Sequence, residues 1–303
     1  MKIQRESIDF DAKQSFKILR WNNNVRDVET LINSGETRKL TGTGDRWHYH
    51  PEIELTVISE GRGTRFMGDH IGSFDGLDVA LIGANVPHYW KTLGSSKGYA
   101  LQWRLEKTHP LAMLPESTDL RKLWQQAAYG LRYTGSTARI ILQAVIDVAD
   151  KTGLARLGAF LQLLHILLSA PKRDKQPLSK QAFDLASLHT HQPAIEKIIR
   201  HVLKNYRDDI HPDHALKLAG MSRATFARQF PKYVGKTFSA FVTQVRLNGA
   251  CRDLVSTQDN ISQIAFANGF NNLSTFNRLF LETYQCSPKE YRRKGDSRAV
   301  KLH

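Results

Sequence analysis

Cysteine is nearly absent: the two residues, Cys251 and Cys286, stand far apart within helical patterns. A disulfide-stapled scaffold is thereby excluded, and the pair reads as free thiols in a reducing compartment. Long apolar runs are missing too. The longest, LARLGAFLQLLHILLSA, is interrupted by Arg156, Gln162 and His165 and is too short to span a bilayer. The opening MKIQRESIDFDAKQ has neither the apolar core nor the small-residue cleavage site of a secretion signal. A soluble cytoplasmic protein without membrane contact is expected. Acidic residues are scarce: 29 Asp and Glu against 43 Lys and Arg leave a formal net charge of +14, which favours polyanionic partners. The excess is uneven, because from Pro193 to the end eighteen Lys and Arg stand against nine Asp and Glu. The basic part is the last third.

At 303 residues the chain exceeds one ordinary α+β domain and accommodates two. Its hydrophobic period changes along the way. From Val25 to about Lys107, short β-rich runs such as ELTVISEG, DVALIG and YALQWRL alternate with Gly, Asp and Asn. That is the rhythm of an antiparallel sandwich or barrel. From Thr118 the period is helical over 120–133, 139–151 and 154–170, punctuated by Gly135, Gly153 and Pro171. In the third of these, Leu154, Leu157, Leu161, Leu164 and Leu168 alternate spacings of three and four, an a/d seam. Phe160, Leu163, Ile166 and Leu167 supply a second apolar face. One face can meet the sheet and the other a second copy of the chain; packing on the sheet alone is the alternative. The polar stretch 171–192 lacks a sustained apolar face and reads as a linker with room for one helical turn.

The last third repeats itself. TFARQF, from Thr225 to Phe230, recurs as TFNRLF, from Thr275 to Phe280, at an offset of 50 that holds on to Phe241 and Tyr291. Gly220 pairs with Gly269 at an offset of 49, so the second copy carries one extra residue in its turn. Each copy reads as a short helix, a glycine turn and a second helix, the layout of a helix-turn-helix. On a helical wheel Phe226, Phe230, Phe276 and Phe280 point inward. Ala224, Ala227 and Arg228 face outward in the first copy, and Ser274, Asn277 and Arg278 in the second; Arg223 joins them as a candidate DNA contact. Arginine can pair with guanine O6 and N7, asparagine with adenine, and alanine can touch a thymine methyl. Lys232, Lys236, Arg292 and Arg293 are placed to meet phosphates. A lone exposed arginine is ordinarily just solvated, but recurrence at one wheel position in both copies argues for a reader. Between the copies, Phe238, Phe241, Val245, Leu247, Ala250 and Leu254 form the apolar face of a helix of about nineteen residues, a rod of roughly 28 Å. The major groove returns every ~34 Å.

DRWHYHPEIEL places His48, His50 and Glu54 on one short apolar segment. In a continuous strand they share a face with Thr56 and Ile58, with Pro51 as the place where that register would break. Such a cluster can hold a metal, bind a polar ligand or form an internal hydrogen-bond network. All three readings stay open. Arg46, Trp47, Trp90, Gln102 and Trp103 would suit a sugar or an aromatic acid.

LAGMSRATFARQF, GKTFSAF, RLNGACRDL, ISQIAFANGF and SPKEYR together resemble the DNA-binding domain of the AraC/XylS family of transcriptional regulators over the last hundred or so residues. The N-terminal half resembles that family's cupin-like sensor domain, through the spacing of Gly42, His48, His50, Glu54 and Gly61 and a partial second motif, GLDVALIGANVPHYW, that contains His88. The resemblance implies an α+β protein. An N-terminal cupin-like antiparallel β-barrel senses an effector (1–115), a helical segment dimerises (116–170), and a linker follows (171–192). An all-α DNA-binding domain comes next, two helix-turn-helix units joined by a long helix (193–294), and then a basic tail (295–303). The function implied is sequence-specific regulation of transcription, without enzymatic activity. The partners are double-stranded DNA, a small-molecule effector, a second copy of the chain and, for an activator, RNA polymerase. DNA contacts would come from Arg223, Ala224, Ala227, Arg228, Lys232, Ser274, Asn277 and Arg278, and effector contacts from Arg46, His48, His50, Glu54, His88 and Trp90. In metal cupins His48, His50, Glu54 and His88 would be ligands, an N₃O set suited to Fe, Mn, Ni or Zn, so a divalent metal is a second option. The alternative function is a metal-dependent cupin enzyme fused to a DNA-binding domain. An intact second motif would favour it; its erosion favours the sensor.

Overall fold

The computed structural model describes residues 4–10, 15–32, 36–41, 44, 46–104, 110–179, 182 and 192–299. Gly42, half of the expected linker and the end of the basic tail lie outside the described residues. The backbone separates into two compact units between residues 189 and 190.

In the first unit the strands are β1 (Gln4–Arg5), β2 (Phe16–Trp21), β3 (Asp27–Leu31), β4 (Thr37–Thr41), β5 (His48–Tyr49), β6 (Ile53–Glu60), β7 (Arg62–Met67), β8 (His70–Asp75), β9 (Asp78–Ile82), β10 (His88–Thr92), β11 (Lys97–Trp103), β12 (Leu131–Tyr133) and β13 (Lys175–Pro177). They form a five-stranded sheet, β1-β5-β10-β7-β8, and an eight-stranded sheet, β13-β12-β9-β6-β11-β2-β3-β4. The helices are α1 (Pro110–Met113), α2 (Leu120–Ala127), α3 (Gly135–Asp150) and α4 (Gly153–Ser169).

Alternation along β6 explains the layering. Leu55 and Val57 join Val79, Leu81, Leu101 and Trp103 on the face that the helices cover through Leu123, Ile141, Val145, Phe160, Leu163 and Leu167. Ile58 turns the other way, into a cluster with Trp21, Met67, Phe74, Ile82 and Trp90 that lies between the two sheets. The expected antiparallel β-domain is built as two facing sheets with separate strand orders, and β1 pairs with β5 in parallel. The chain crosses between the sheets repeatedly, and two of the crossings run from β5 to β6 and from β9 to β10. Each crossing contains a proline, Pro51 or Pro87, which has no N–H to lend to a ladder. The two crossings are tied together where Asn85 N donates to His50 O at 2.8 Å.

Two boundaries differ from expectation. The segment 116–170 contains a strand, β12, and the expected linker contributes β13, antiparallel to β12. Ser179 Oγ then donates to Met67 O at 3.1 Å, so the chain stays tied to the first unit that far. Strand β12 would otherwise present an open edge, and a polar three-residue strand closes it without needing an apolar face. The charge inside the apolar run is also accounted for: buried Arg156 of α4 donates to Leu31 O and Ala149 O, both at 3.3 Å.

The second unit is helical: α5 (Gln192–Asn205), α6 (Pro212–Ala219), α7 (Arg223–Val234), α8 (Phe238–Ser256), α9 (Ile261–Ala267), α10 (Leu273–Tyr284) and α11 (Pro288–Ala299). The repeat lies in α6–α7 and α9–α10. Ser222 and Asn272 cap the second helix of each copy, accepting from Thr225 N and Thr275 N. The apolar face expected of the intervening helix is buried along the nineteen residues of α8. Phe226, Phe230, Phe238 and Phe241 pack edge to face around its first half; Phe276 and Phe280 join Leu247, Ala250 and Leu254 around its second. Cys251 is free, and burial pushes its thiol up to about 12, which makes it unreactive.

The two turn glycines are not equivalent. Both have left-handed φ, +61° at Gly220 and +82° at Gly269. A Cβ on Gly220 meets nothing within 4 Å, whereas one on Gly269 would lie 2.7 Å from Tyr206 O and 2.8 Å from Arg246 Nε. Gly220→Ala is therefore expected to cost about 1 kcal/mol, the left-handed penalty alone. Gly269→Ala should cost at least about 1 kcal/mol more, because the Arg246 anchor must shift. Urea unfolding of both variants measures the difference.

Candidate functional site

Between the two sheets, three strands bring a polar row to the inner face of the larger one. Lys17 (β2) pairs across to Gln102 (β11), which pairs across to Glu54 (β6). On the facing sheet His48 (β5) is paired with His88 (β10). The strand that would run from His48 to Ile58 is broken at the Pro51 crossing, so His48 and His88 reach Glu54 from the facing sheet and not along one strand face. One ligand atom from each of His48, His50, Glu54 and His88 lies within 4.8 Å of the others, and all four residues are buried. A partly open cavity of about 70 Å³ adjoins this cluster. Of the expected residues His48, Glu54, Gln102 and Trp90 line it and His50 and His88 do not; Glu6, Lys17 and Trp21, outside the expectation, line it too, with Thr56.

Hydrogen bonds fix the orientation of every ring. His48 Nδ1 lies 2.7 Å from Arg46 O, His88 Nδ1 2.8 Å from Val86 O and His50 Nδ1 3.1 Å from Glu52 O. A carbonyl can only accept, so each Nδ1 carries its proton and each Nε2 turns towards the cluster. His50 Nε2 is 3.1 Å from Glu54 Oε2, which also accepts from Gln102 Nε2 at 2.8 Å; Thr56 Oγ1 donates to Glu54 Oε1. Burial opposes ionisation of Glu54, but the His50 hydrogen bond and the nearby His88, His50 and His48 hold its pKa well below the usual carboxylate range. Burial likewise opposes charge on His50, and is outweighed by Glu54, Glu6 and Glu52, so its pKa is raised. At His88 burial and the neighbouring His48 prevail, and the ring is held neutral.

Three further residues of the expected effector set lie away from the cluster. Arg46 contributes its carbonyl to His48, and its side chain is not in the cavity lining. Trp47 points to the opposite face, edge-on to Phe66 and Tyr89, because neighbours in a strand alternate. Trp103 packs on Trp124 and Phe160 beneath the helices. Trp21 and Lys17 had a legible signal, the alternation of FKILRW, but only pairing with β11 shows which face meets the cavity.

In the helical unit Arg223, Ala224, Ala227, Arg228 and Lys232 are exposed on α7, and Ser274, Asn277 and Arg278 on α10. Arg223 reaches Asp213 at 2.6 Å, and Arg278 reaches Glu282 at 2.8 Å, both in exposed pairs that exchange readily with a phosphate or a base. Arg292 is corrected: it donates to Leu254 O at 3.0 Å and Asp259 O at 2.7 Å, anchoring α11 to the end of α8 rather than waiting for a phosphate. Helix α5 had been missed. Its signal was present, since Ile195, Ile198, Ile199 and Val202 stand at helical spacing and are all buried.

A family profile described as a helix-turn-helix domain matches residues 216–294. Along most of its length the chain is similar to the HTH-type transcriptional activator RhaS of Pectobacterium carotovorum, 22% identical over 262 residues, covering 83% of this chain and 88% of that one. It is similar also to the HTH-type transcriptional activator RhaR of Mannheimia succiniciproducens, 24% identical over 266 residues, covering 82% and 91%. A solved AraC-type DNA-binding-domain protein from Chromobacterium violaceum is 27% identical, covering 34% of this chain and 93% of that one, with a TM-score of 0.33. Two helix-turn-helix units on one long helix, in a chain matched along its length by transcriptional activators, define a DNA-binding transcriptional regulator. Residues 216–294 carry the helix-turn-helix domain that this profile describes, and the chain as a whole is similar to these transcriptional activators.

Proposed function

We propose that this regulator reads DNA with α7 and α10 and that a small molecule bound between its two sheets governs the reading. The observation that carries the first part is the recurrence of Arg228 as Arg278, exposed at the same position of both copies while the adjacent Phe226 and Phe276 are buried. Arg228, Asn277 and Arg278 are assigned to base edges, with Ala224, Ala227 and Ser274 beside them and Arg223 and Lys232 on the backbone. An activator of this kind also touches RNA polymerase. Supporting the second part, the cavity combines apolar walls of Trp21, Val28, Ile58 and Trp90 with Lys17, Gln102 and Glu54. Flat aromatic faces and a few convergent polar groups are what a sugar or an aromatic acid needs. Nothing in this reading requires turnover of the ligand, and the cupin-enzyme alternative has no relative among the activators that match the chain along its length.

Dimerisation is assigned to the outer face of α4. Leu164, expected in the seam, is buried in the unit's own core, but Leu154 and Leu161 stay 83% and 43% exposed and Ile140 of the adjacent α3 is 52% exposed. Apolar side chains presented together to water favour a protein partner.

Arg228→Ala and Arg278→Ala are each expected to weaken specific DNA binding by about 1–3 kcal/mol without unfolding the chain; gel-shift affinities equal to wild type in both would sink the assignment. Leu161→Asp should convert a dimer into a monomer in sedimentation, since a charge cannot be buried in the seam. In a thermal-shift screen of sugars and aromatic carboxylates, at least one compound should stabilise the wild type by roughly 2–3 kcal/mol at a hundredfold excess over its Kd. The same compound should leave Trp21→Ala unchanged.

A further inference from the structure

The two helix-turn-helix copies carry different charge. Helices α6 and α7 hold Lys217, Arg223, Arg228 and Lys232 against a single acid, Asp213, whereas α9 and α10 hold Arg278 against Glu282. Lys217, Arg228 and Lys232 are exposed and have no carboxylate partner among the described residues. The difference is sharpest at one position. Residues four apart form one row along a helix, and Ala224, Arg228 and Lys232 of α7 correspond to Ser274, Arg278 and Glu282 of α10 at the repeat offset of 50. All six are exposed. The last member of the row is thus a cation in the first copy and an anion in the second, where Arg278 Nη1 donates to Glu282 Oε1 at 2.8 Å.

A carboxylate on a surface that faces DNA is repelled by every phosphate. What the major groove offers it is an exocyclic amino group, N4 of cytosine above all. We propose that Glu282 is a specificity-determining residue, which accepts from a cytosine N4 amino group beside the guanine held by Arg278 and makes α10 the selective helix of the pair. The bond between the two side chains suits this role. It leaves Glu282 Oε2 and the remaining N–H groups of the guanidinium for adjacent bases, while it narrows the rotamers that each side chain adopts. Asn277, exposed one residue before Arg278, and Ser274, a turn earlier, add polar groups to the same surface. Helix α7 instead presents methyl groups at Ala224 and Ala227 and cationic groups without a carboxylate partner at Arg228 and Lys232. It therefore supplies more of the attraction to phosphate and less of the discrimination between bases. The role of Glu282 rests on α7 and α10 being the helices that read DNA.

In the test, the full-length chain enriches duplexes from a random-sequence pool. Gel shifts then give affinities for the best enriched duplex, for its single base-pair replacements and for the unenriched pool. At one C·G pair, replacement should cost the wild type about tenfold in affinity and Glu282→Ala less than about threefold. The same variant should bind the unenriched pool at least as tightly as the wild type, because a repulsive charge is gone. Lys232→Ala should weaken binding to the enriched duplex and to the pool alike and lower the salt slope by about one, with base preferences unchanged. Both positions are exposed on helices, so alanine is tolerated there, and circular dichroism checks that the variants are folded. If Glu282→Ala matches the wild type in its sensitivity at every base pair, or loses affinity equally for the enriched duplex and the pool, the role of Glu282 is overturned. Arg228→Ala and Arg278→Ala separate this from failure of the underlying reading. If both leave binding to the enriched duplex unchanged, the two helices do not read DNA and Glu282 falls with them. If they weaken it while Glu282→Ala keeps wild-type preferences, only the role of Glu282 fails.

Discussion

The β-sheet half of this protein is organised around the Glu54 carboxylate, which is held ionised although it is buried. Removing such a group from water costs several kcal/mol unless charge and hydrogen bonds replace its hydration. The replacements come from four strands and one crossing: Thr56 from its own strand, Gln102 from β11, and three histidines from β5, β10 and the turn after β5. None of these partners is useful unless the two sheets face each other at the spacing they have. The apolar cluster of Trp21, Ile58, Met67, Ile82 and Trp90 sets that spacing. The hydrophobic and polar parts of the layer thus depend on each other, and a cavity is left where side chains of the two kinds meet.

The helical half is held by a different constraint. A single helix, α8, has no room for two separate cores around one circumference, so it uses its length: an aromatic group packs at its start and a mixed cluster at its end. Polar anchors pin what packing alone would leave loose. Arg246 donates to Tyr206 O and Asp208 O, tying the loop after α5 to α8, and Arg292 does the same for the segment after it. Asn268 Nδ2 bonds Asp253 Oδ2 at 2.7 Å at the second turn. These bonds hold the connecting backbone, and α7 and α10 project their exposed faces from a frame pinned by polar anchors as well as by packing. Basic residues accordingly divide into two sorts, those spent on the frame and those left on the exposed faces, although composition counts them alike.

Much of this is legible in the sequence. Helical wheels placed Phe226, Phe230, Phe276 and Phe280 inside and Ala224, Arg228, Asn277 and Arg278 outside, because a helix of known period relates spacing directly to direction. The one-residue difference between the repeat copies reappears as the longer turn after Gly269, and His48, His50, Glu54 and His88 do converge. Other assignments depended on facts no local pattern holds. Trp47, Trp90 and Trp103 look alike in a strand, yet only Trp90 faces the cavity. Arg292 and Arg293 are neighbours, yet the first is consumed by two carbonyls.

What the sequence by itself determined is the set of short-range quantities: helix faces, caps, the glycine turns, the repeat and the alternation of β6. Each follows from a period of 3.6 or 2 residues and from local steric rules that act within a turn or a few residues. What only the tertiary structure decided is everything that depends on which strands become neighbours. The crossing at Pro51 puts His48 and Glu54 on different sheets, the pairing of β2, β11 and β6 lines up Lys17, Gln102 and Glu54, and α4 divides its leucines between its own core and water. Pairing is a choice among many distant partners, settled by the summed burial of a whole layer. No window of sequence contains that sum.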